Sequence, residues 1–404
     1  MLKEMFGVNK KKILFVTLAR IDDINVSGIY TDLISKFVSQ GYEATIICPI
    51  ERRFGLNSRI IISNGVKIIQ VKSLNIQKTN ILEKIVSTFL LEFLLIISFL
   101  KNCKNESYDI GLFTTPPIFI TNFIKVLNNK RLKIKYLLLK DIFPQNALDL
   151  KITMKFSPFY LYSRFIEKKL YNKFDYIGCM SKANMDYIIK HNTINKSKVE
   201  VNPNSVDVFK YPKKKNNKKN TKELKLVYGG NLGLPQNPIL ITKFISKIEA
   251  LDNISFKIIG SGTEFKYIES HIIKNNISKT KILRSLTKAS YFEELDNSDV
   301  GLIFLNEKFT IPNYPSRLLD YLYYDLAILS NTDVNTDITD FIKNAKVGKC
   351  FYGFQDLDNM ITEIIKIKDS SAYLESFNHN SYKSVIKYFN IDTSFELINK
   401  KIQK

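Results

Sequence analysis

Strand-length apolar runs alternate with amphipathic helical runs along this chain, and about halfway through the alternation begins again. The first round opens with KILFVTLA over 12–19, a buried strand. The loop RIDDINVSGIY leads to a helix over 31–40 that turns Leu33, Phe37 and Val38 inward. Gly41 stops it, and YEATIICP is the second strand. Strand, loop, helix and strand in that order open a doubly wound α/β domain. No G-x-G-x-x-G stands at the first turn, so a dinucleotide is not expected there. Further strands are expected over 60–73, 108–113 and 133–139 and in DYIGCMS, with helices over 85–100, from 118, over 164–174 and over 183–190. VEVNPNSVD closes this half. The second round runs through the strand LKLVYGG, a helix over 238–251, the strand SFKIIGSG and a helix over 263–275. A short strand at Ile282, a short helix over 291–297 and the strand DVGLIFL follow. Helices over 361–367 and 380–403 end the chain. At 404 residues, 45% of them apolar, the chain is too long for one ordinary core. The expected fold class is α/β, with two Rossmann-like doubly wound domains over 1–205 and 206–381. The tract YPKKKNNKKNTK over 211–222 reads as a polar surface connection without core residues, a nucleic-acid-binding tail being the alternative.

Charge and scattered residues narrow the chemistry. The formal net charge is +21, which suits anionic partners such as diphosphates or anionic lipid, although abundant lysine can also follow from composition alone. The four cysteines and three histidines are dispersed, which argues against both a zinc site and a Ser-His-Asp triad. Reduced cysteines in a cytosolic compartment are the simplest reading. Lys10, Lys11 and Lys12 before ILFVTLA look superficially like a signal peptide, but the apolar run is short and fits a first strand. The run IVSTFLLEFLLIISFL over 85–100 is too short for a comfortable membrane span and carries Glu92 in its middle. It is expected to be buried or to lie against a membrane surface.

The stretch IPNYPSRLLDYLYYDLAILSN over 311–331 concentrates possible chemistry. Pro315 suits the first position of a helix, which leaves the backbone N–H groups of Ser316 and Arg317 free at a tip that favours anions. Asp320 lies one turn on, a fair distance for a carboxylate to accept a sugar hydroxyl, while Leu318, Leu319 and Leu322 face the core. An ordinary capped core helix fits the same residues. Gly229, Gly230 and Gly233 sit between a strand and a helix, where backbone N–H groups can face a phosphate. Gly260 and Gly262 make a third strand-end turn. Gly28 can let backbone approach a ligand, and Asp141, just beyond a strand end, can accept a proton or hold a sugar, or simply make a turn. Asp22 and Asp23 stand alone, so no metal is expected.

Together these segments resemble glycosyltransferase family 4, of the GT-B fold, in the bacterial branch that builds capsule and O-antigen polysaccharides. The residues carrying the likeness are SGIYTDLISKFVSQGYEATIICP, KDIFPQNALDL, VNPNSVDVF, YGGNLG, GSGTE, NSDVGLIFL and PNYPSRLLDYLYYDLAILS. Their order and spacing cover nearly the whole chain. The resemblance implies two domains facing a cleft, the first on the acceptor side and the second binding the nucleotide sugar, with a final helix over 382–404 that crosses back onto the first. It also implies a retaining, metal-independent transfer of a hexosyl or N-acetylhexosaminyl group. The donor would be a nucleotide-diphosphate sugar, a UDP-sugar by analogy, and the acceptor a polyprenyl-diphosphate-linked saccharide. Gly230 and Asn231 would approach the donor phosphates, Ser316 and Arg317 would bind the diphosphate, and Asp320 the ribose. The loop at Gly28 would close over the donor, and Asp141 would face the acceptor. Asp141 and Arg317 are the expected catalytic residues. The donor is a substrate, and no cofactor is implied. The other expected partner is an anionic membrane surface, with the protein on the cytoplasmic face of the plasma membrane; nucleic acid is not expected, because the lysines are spread along the chain. The chain departs from the family pattern at Pro312, where the first of two Glu residues is usual, and at Lys140, where His is usual. Leu234 and Gln236 stand near the usual Arg and Lys, and Asp325 replaces a Gly. A non-catalytic nucleotide-binding partner of a polysaccharide assembly complex is the alternative, as is a sugar-nucleotide epimerase of the same fold.

Overall fold

A computed structural model of the chain describes residues 10–76, 79, 81–214 and 223–403. It groups into two units, one of Met1–Pro144, Thr153–Asp207 and Ile391–Lys404, the other of Gln145–Ile152 and Val208–Asn390.

The first unit is built on eight strands: β1 (Lys12–Val16), β2 (Glu43–Glu51), β3 (Arg59–Ser63), β4 (Val66–Ser73), β5 (Tyr108–Thr115), β6 (Leu132–Leu139), β7 (Tyr176–Cys179) and β8 (Val199–Val201). Their order is β3-β4-β2-β1-β5-β6-β7-β8. All neighbours are parallel except β3 and β4. Those two form a hairpin within the strand material expected over 60–73. Its turn is Asn64-Gly65, at φ 46° and 78°, the left-handed pair a two-residue hairpin demands. The helix Thr31–Ser39 buries Leu33 and Phe37, and Gly41 ends it at φ 87°.

The apolar helix is longer than expected, Ile81–Asn102. Its Glu92 is buried for a local reason. The carboxylate accepts the backbone N–H groups of Asn122 and Phe123, the latter at 3.0 Å, and the Asn122 amide at 2.9 Å. It thereby caps the helix Thr121–Val126, which begins three residues later than expected. No helix among the described residues is long and apolar enough to cross a membrane. The helix expected over 164–174 is Pro158–Asn172, its start set by Ser157 Oγ accepting the Tyr160 N–H and by Pro158 in the first turn.

The second unit has six parallel strands: β9 (Leu224–Asn231), β10 (Ile254–Ser261), β11 (Thr280–Leu283), β12 (Val300–Phe304), β13 (Ala327–Thr332) and β14 (Gly348–Tyr352). Their order, β11-β10-β9-β12-β13-β14, is that of a dinucleotide-type doubly wound sheet. Its core includes Phe244, Phe256, Leu302, Phe304 and Leu329. The helix Ile338–Ala345 and strand β14 go beyond the expected elements. Tyr211 is a core residue rather than part of a polar surface tract: it is buried and stacks on Phe292 at 4.8 Å between centroids. Residues 215–222 of that tract lie outside the described residues. The helix expected over 380–403 is two helices, Ser371–Tyr388 in the second unit and Ile391–Ile402 in the first. Phe395 of the last helix meets Phe37 at 4.8 Å, and Tyr42 donates to Asn399 at 2.5 Å. Gln145–Ile152 belongs to the second unit, where the Asp149 carboxylate accepts the Thr310 N–H at 2.7 Å.

Candidate functional site

In a doubly wound sheet, ligands bind beyond the carboxyl ends of the strands, where the strand order reverses. In the second unit that point lies between β9 and β12. Gly229, Gly230 and Asn231 end β9, and Arg317 opens the helix Arg317–Tyr323. The sheet brings these two expected elements together. A Cβ built on Gly230 would stand 3.0 Å from the Arg317 guanidinium, and Gly230 adopts φ 136°, a conformation reserved for glycine. The guanidinium also lies over the ring of Tyr228, 4.5 Å from its centroid. Arg317 Nη1 is buried without a hydrogen-bond partner. A buried donor left unpaired costs free energy, which an incoming anion would recover.

The helix itself differs from expectation. It has only seven residues, and Ser316 precedes it with its side chain outside any capping bond. Two turns give a weak macrodipole, so the positive charge here is that of Arg317. Leu318, Leu319 and Leu322 are buried. Asp320 takes the Tyr211 hydroxyl on Oδ1 at 2.6 Å.

Tyrosines hold the rest, and sequence reading did not pick them out. The Tyr321 hydroxyl accepts the Gly229 N–H at 2.8 Å and donates to Leu302 O at 3.3 Å. It fixes the peptide beside Gly230. Its ring passes where a Cβ on Gly301 would be 2.5 Å away. Tyr291 packs against Gly229, where a Cβ would meet its hydroxyl at 2.3 Å. The available signal was the four-residue spacing of Arg317 and Tyr321, which puts both on one helix face. The Asn231 side chain donates to Gln236 Oε1 at 3.0 Å, and Gly233 N–H donates to the same oxygen at 3.1 Å. Gly260 and Gly262 serve sheet packing, since Cβ atoms there would lie 1.9 and 2.0 Å from the carbonyls of Gly230 and Leu232.

In the first unit the strand ends at the β1–β5 reversal carry Thr17, Thr114 and Thr115, with Lys140 and Asp141 just beyond β6. Thr115 Oγ1 accepts the Lys140 N–H at 3.0 Å, and Thr114 donates to Thr17 at 3.1 Å. Asp141 is exposed, yet the protein around it thins its hydration and pushes its carboxyl up to about 6. The same cause pulls the Lys140 ammonium down to about 8. Burial, and then the Asp141 charge, push the Tyr30 phenol up. Gly28 lies in the loop before Thr31, where its N–H donates to Asp32 Oδ1 at 3.3 Å and a Cβ would meet Thr31 Oγ1 at 3.2 Å. Buried Asp32 also takes the Asp207 N–H at 3.0 Å. Among the described residues no group of three or more His, Cys, Asp or Glu is placed to hold a metal ion.

One buried carboxylate beyond β13 carries a prediction. Asp333 is 1% exposed; its Oδ1 accepts the N–H groups of Asn335 and Thr336, while Oδ2 is buried without a partner. Desolvation pushes its carboxyl up to about 6 from 3.8. The folded protein therefore holds this proton more tightly than the unfolded chain, and stability falls as pH rises through that interval. An amide cannot ionise. Asp333→Asn is expected to gain roughly 2–3 kcal/mol on the wild type between pH 4 and pH 7. Urea melts at the two pH values check it, and a constant difference would contradict the burial of the charged form.

No family model matches the chain, and no curated protein sequence does. Solved structures do. The sucrose-phosphate synthase of Thermosynechococcus elongatus aligns at TM-score 0.77 and 11% identity, over 98% of both chains. WaaG, a glycosyltransferase involved in lipopolysaccharide biosynthesis, aligns at 0.65 and 12%, over 96% of this chain and 99% of that one. Anabaena HepE in complex with UDP aligns at 0.65 and 11%, over 97% and 99%. The chain therefore has the GT-B fold, two Rossmann-like α/β units of mainly parallel strands.

Proposed function

We propose that this chain is a retaining, metal-independent glycosyltransferase of family 4. It transfers a hexosyl or N-acetylhexosaminyl group from a UDP-sugar to a polyprenyl-diphosphate-linked saccharide in bacterial capsule or O-antigen synthesis. The work is done on the cytoplasmic face of the plasma membrane. The observation that carries the reading is the Arg317 guanidinium, its buried Nη1 without a partner, packed against Gly230 at the β9–β12 reversal. Departure of the sugar leaves negative charge on the nucleotide diphosphate, and a fixed cation beside a side-chain-free backbone turn stabilises it. Asp320, steadied by Tyr211, is one turn along the same helix and takes the ribose. Asp141 serves the acceptor hydroxyl. The likeness to structures that hold UDP supports the choice of base. The net charge of +21 suits both the diphosphates and an anionic lipid surface.

A thermal-shift series with UDP, GDP, ADP, dTDP and CMP tests the donor site. A ligand at a hundredfold excess over its Kd stabilises by about 2.7 kcal/mol. UDP alone is expected to raise Tm. A folded protein that responds to none of the five would overturn the assignment, and binding of UDP without turnover would favour the non-catalytic alternative.

A further inference from the structure

We infer that the outer faces of the helices Ile81–Asn102 and Pro158–Asn172 form one surface that lies in an anionic phospholipid bilayer. This surface deepens the membrane part of the proposed function and takes its purpose from it.

The outward residues of the first helix are Val86, Phe89, Leu90, Phe93, Ile97 and Leu100. Their spacing of three and four keeps them on one stripe. Phe93 is 59% exposed and Ile97 63%. The opposite face, with Leu91, Leu95 and Phe99, is buried in the unit. A surface helix of a soluble unit presents polar residues outward, whereas this one is apolar on both sides. Phe159, Leu161, Tyr162 and Phe165 on the second helix are exposed, and Phe156 just before it is 81% exposed. The two stripes meet: Phe89 and Tyr162 are 6.2 Å apart, and Phe119 stacks on Tyr162 at 6.1 Å and lies 5.0 Å from Phe89. A contiguous apolar patch of this kind marks a binding face.

Charge selects the occupant. Lys125, Lys155, Lys168 and Lys169 are exposed in and beside these elements. The Lys169 ammonium stands 5.6 Å from the Phe165 ring and that of Lys155 5.9 Å from Phe156. The acids of both helices are turned away or paired. Glu92 caps Thr121–Val126, Glu167 is buried with Arg164 and Tyr171, and Glu83 pairs with Arg52 at 2.9 Å. Aromatic and aliphatic side chains ringed by lysines suit a headgroup boundary, with the stems in hydrocarbon and the ammonium groups among phosphates. Among the described residues no helix is long and apolar enough to cross a membrane, and a helix with one face packed on its own unit enters lying in the plane.

The test is co-flotation of the full chain with phosphatidylcholine vesicles, with and without phosphatidylglycerol, at low salt. The wild type is expected to float with the anionic vesicles and to be released by salt. Phe93→Glu and Phe165→Glu are each expected to cut the bound fraction at least tenfold without lowering Tm, because both positions are exposed. Val334→Glu, an exposed apolar position of the other unit, is the control and is expected to bind as wild type does. Absence of wild-type flotation, or flotation unchanged in Phe93→Glu, overturns the inference. So does self-association that Phe93→Glu abolishes while vesicles are ignored, since the occupant is then a second copy. The nucleotide thermal shift separates the two readings. Flotation without any nucleotide response keeps this surface and removes the glycosyl-transfer function, and a nucleotide response without flotation does the reverse.

Discussion

Replacing Arg317 by alanine is expected to lower kcat/KM about 10²–10³-fold, the range for removing one fixed group that meets charge developing in a transition state. The melting temperature of the ligand-free protein is expected to stay close to wild type. Loss of the stacking on Tyr228 weakens packing, but the same substitution removes a buried Nη1 that has no partner, and the two effects oppose each other. The UDP-induced shift is expected to disappear. Arg317→Lys is not expected to rescue it, because an ammonium offers neither a flat face to Tyr228 nor a fork to a diphosphate. Turnover and melting measured on both variants decide the matter. An Arg317→Ala enzyme at wild-type rate would remove the leaving-group role, whatever the nucleotide does.

Arg317 was legible in the sequence because its cues are local: a proline, a small residue and an arginine ahead of three core leucines. What holds it was not. The Tyr321 bond to the Gly229 N–H joins residues 92 positions apart, and only the sheet order makes them neighbours. The same limit explains Gly260 and Gly262. A strand-end GSG looks like a phosphate turn, yet both glycines are required because a parallel neighbour passes within 2.0 Å of where a Cβ would be. Tyr211 was hidden by composition, being a buried residue at the start of a lysine-rich tract.

The alternation of strands and helices was readable because parallel strands are buried on both faces and appear as unbroken apolar runs such as ILFV and LIFL. Helix ends were less so. Ser157 and Pro158 start a helix six residues ahead of its expected beginning, by ordinary capping chemistry that periodicity alone does not weigh. Glu92 shows the converse. Within the apolar run it counted only as a charge ill-suited to a membrane span, and what its carboxylate does, capping a helix thirty residues on, depends on a long-range contact.

Asp141→Asn is expected to lower turnover by about 10²–10⁴-fold, the usual worth of a positioned general base. The pH profile separates that role from one of mere sugar binding. A base must be ionised, and the Asp141 carboxyl is pushed up to about 6 by lost hydration. The wild-type rate is therefore expected to climb as pH rises through about 6 and to level off above 7. The amide has no proton to lose in this range, so the residual rate of Asp141→Asn is expected to be flat across the same interval. Lys140 pulls the upper limb the other way. Its ammonium, brought down to about 8, loses charge near the top of the range. A fall above pH 8 that vanishes in Lys140→Met, with the lower limb intact, would show that the cation is needed in its charged form. A wild-type profile with no inflection between pH 5 and 7 would take the proton-accepting role away from Asp141 and leave it a sugar ligand.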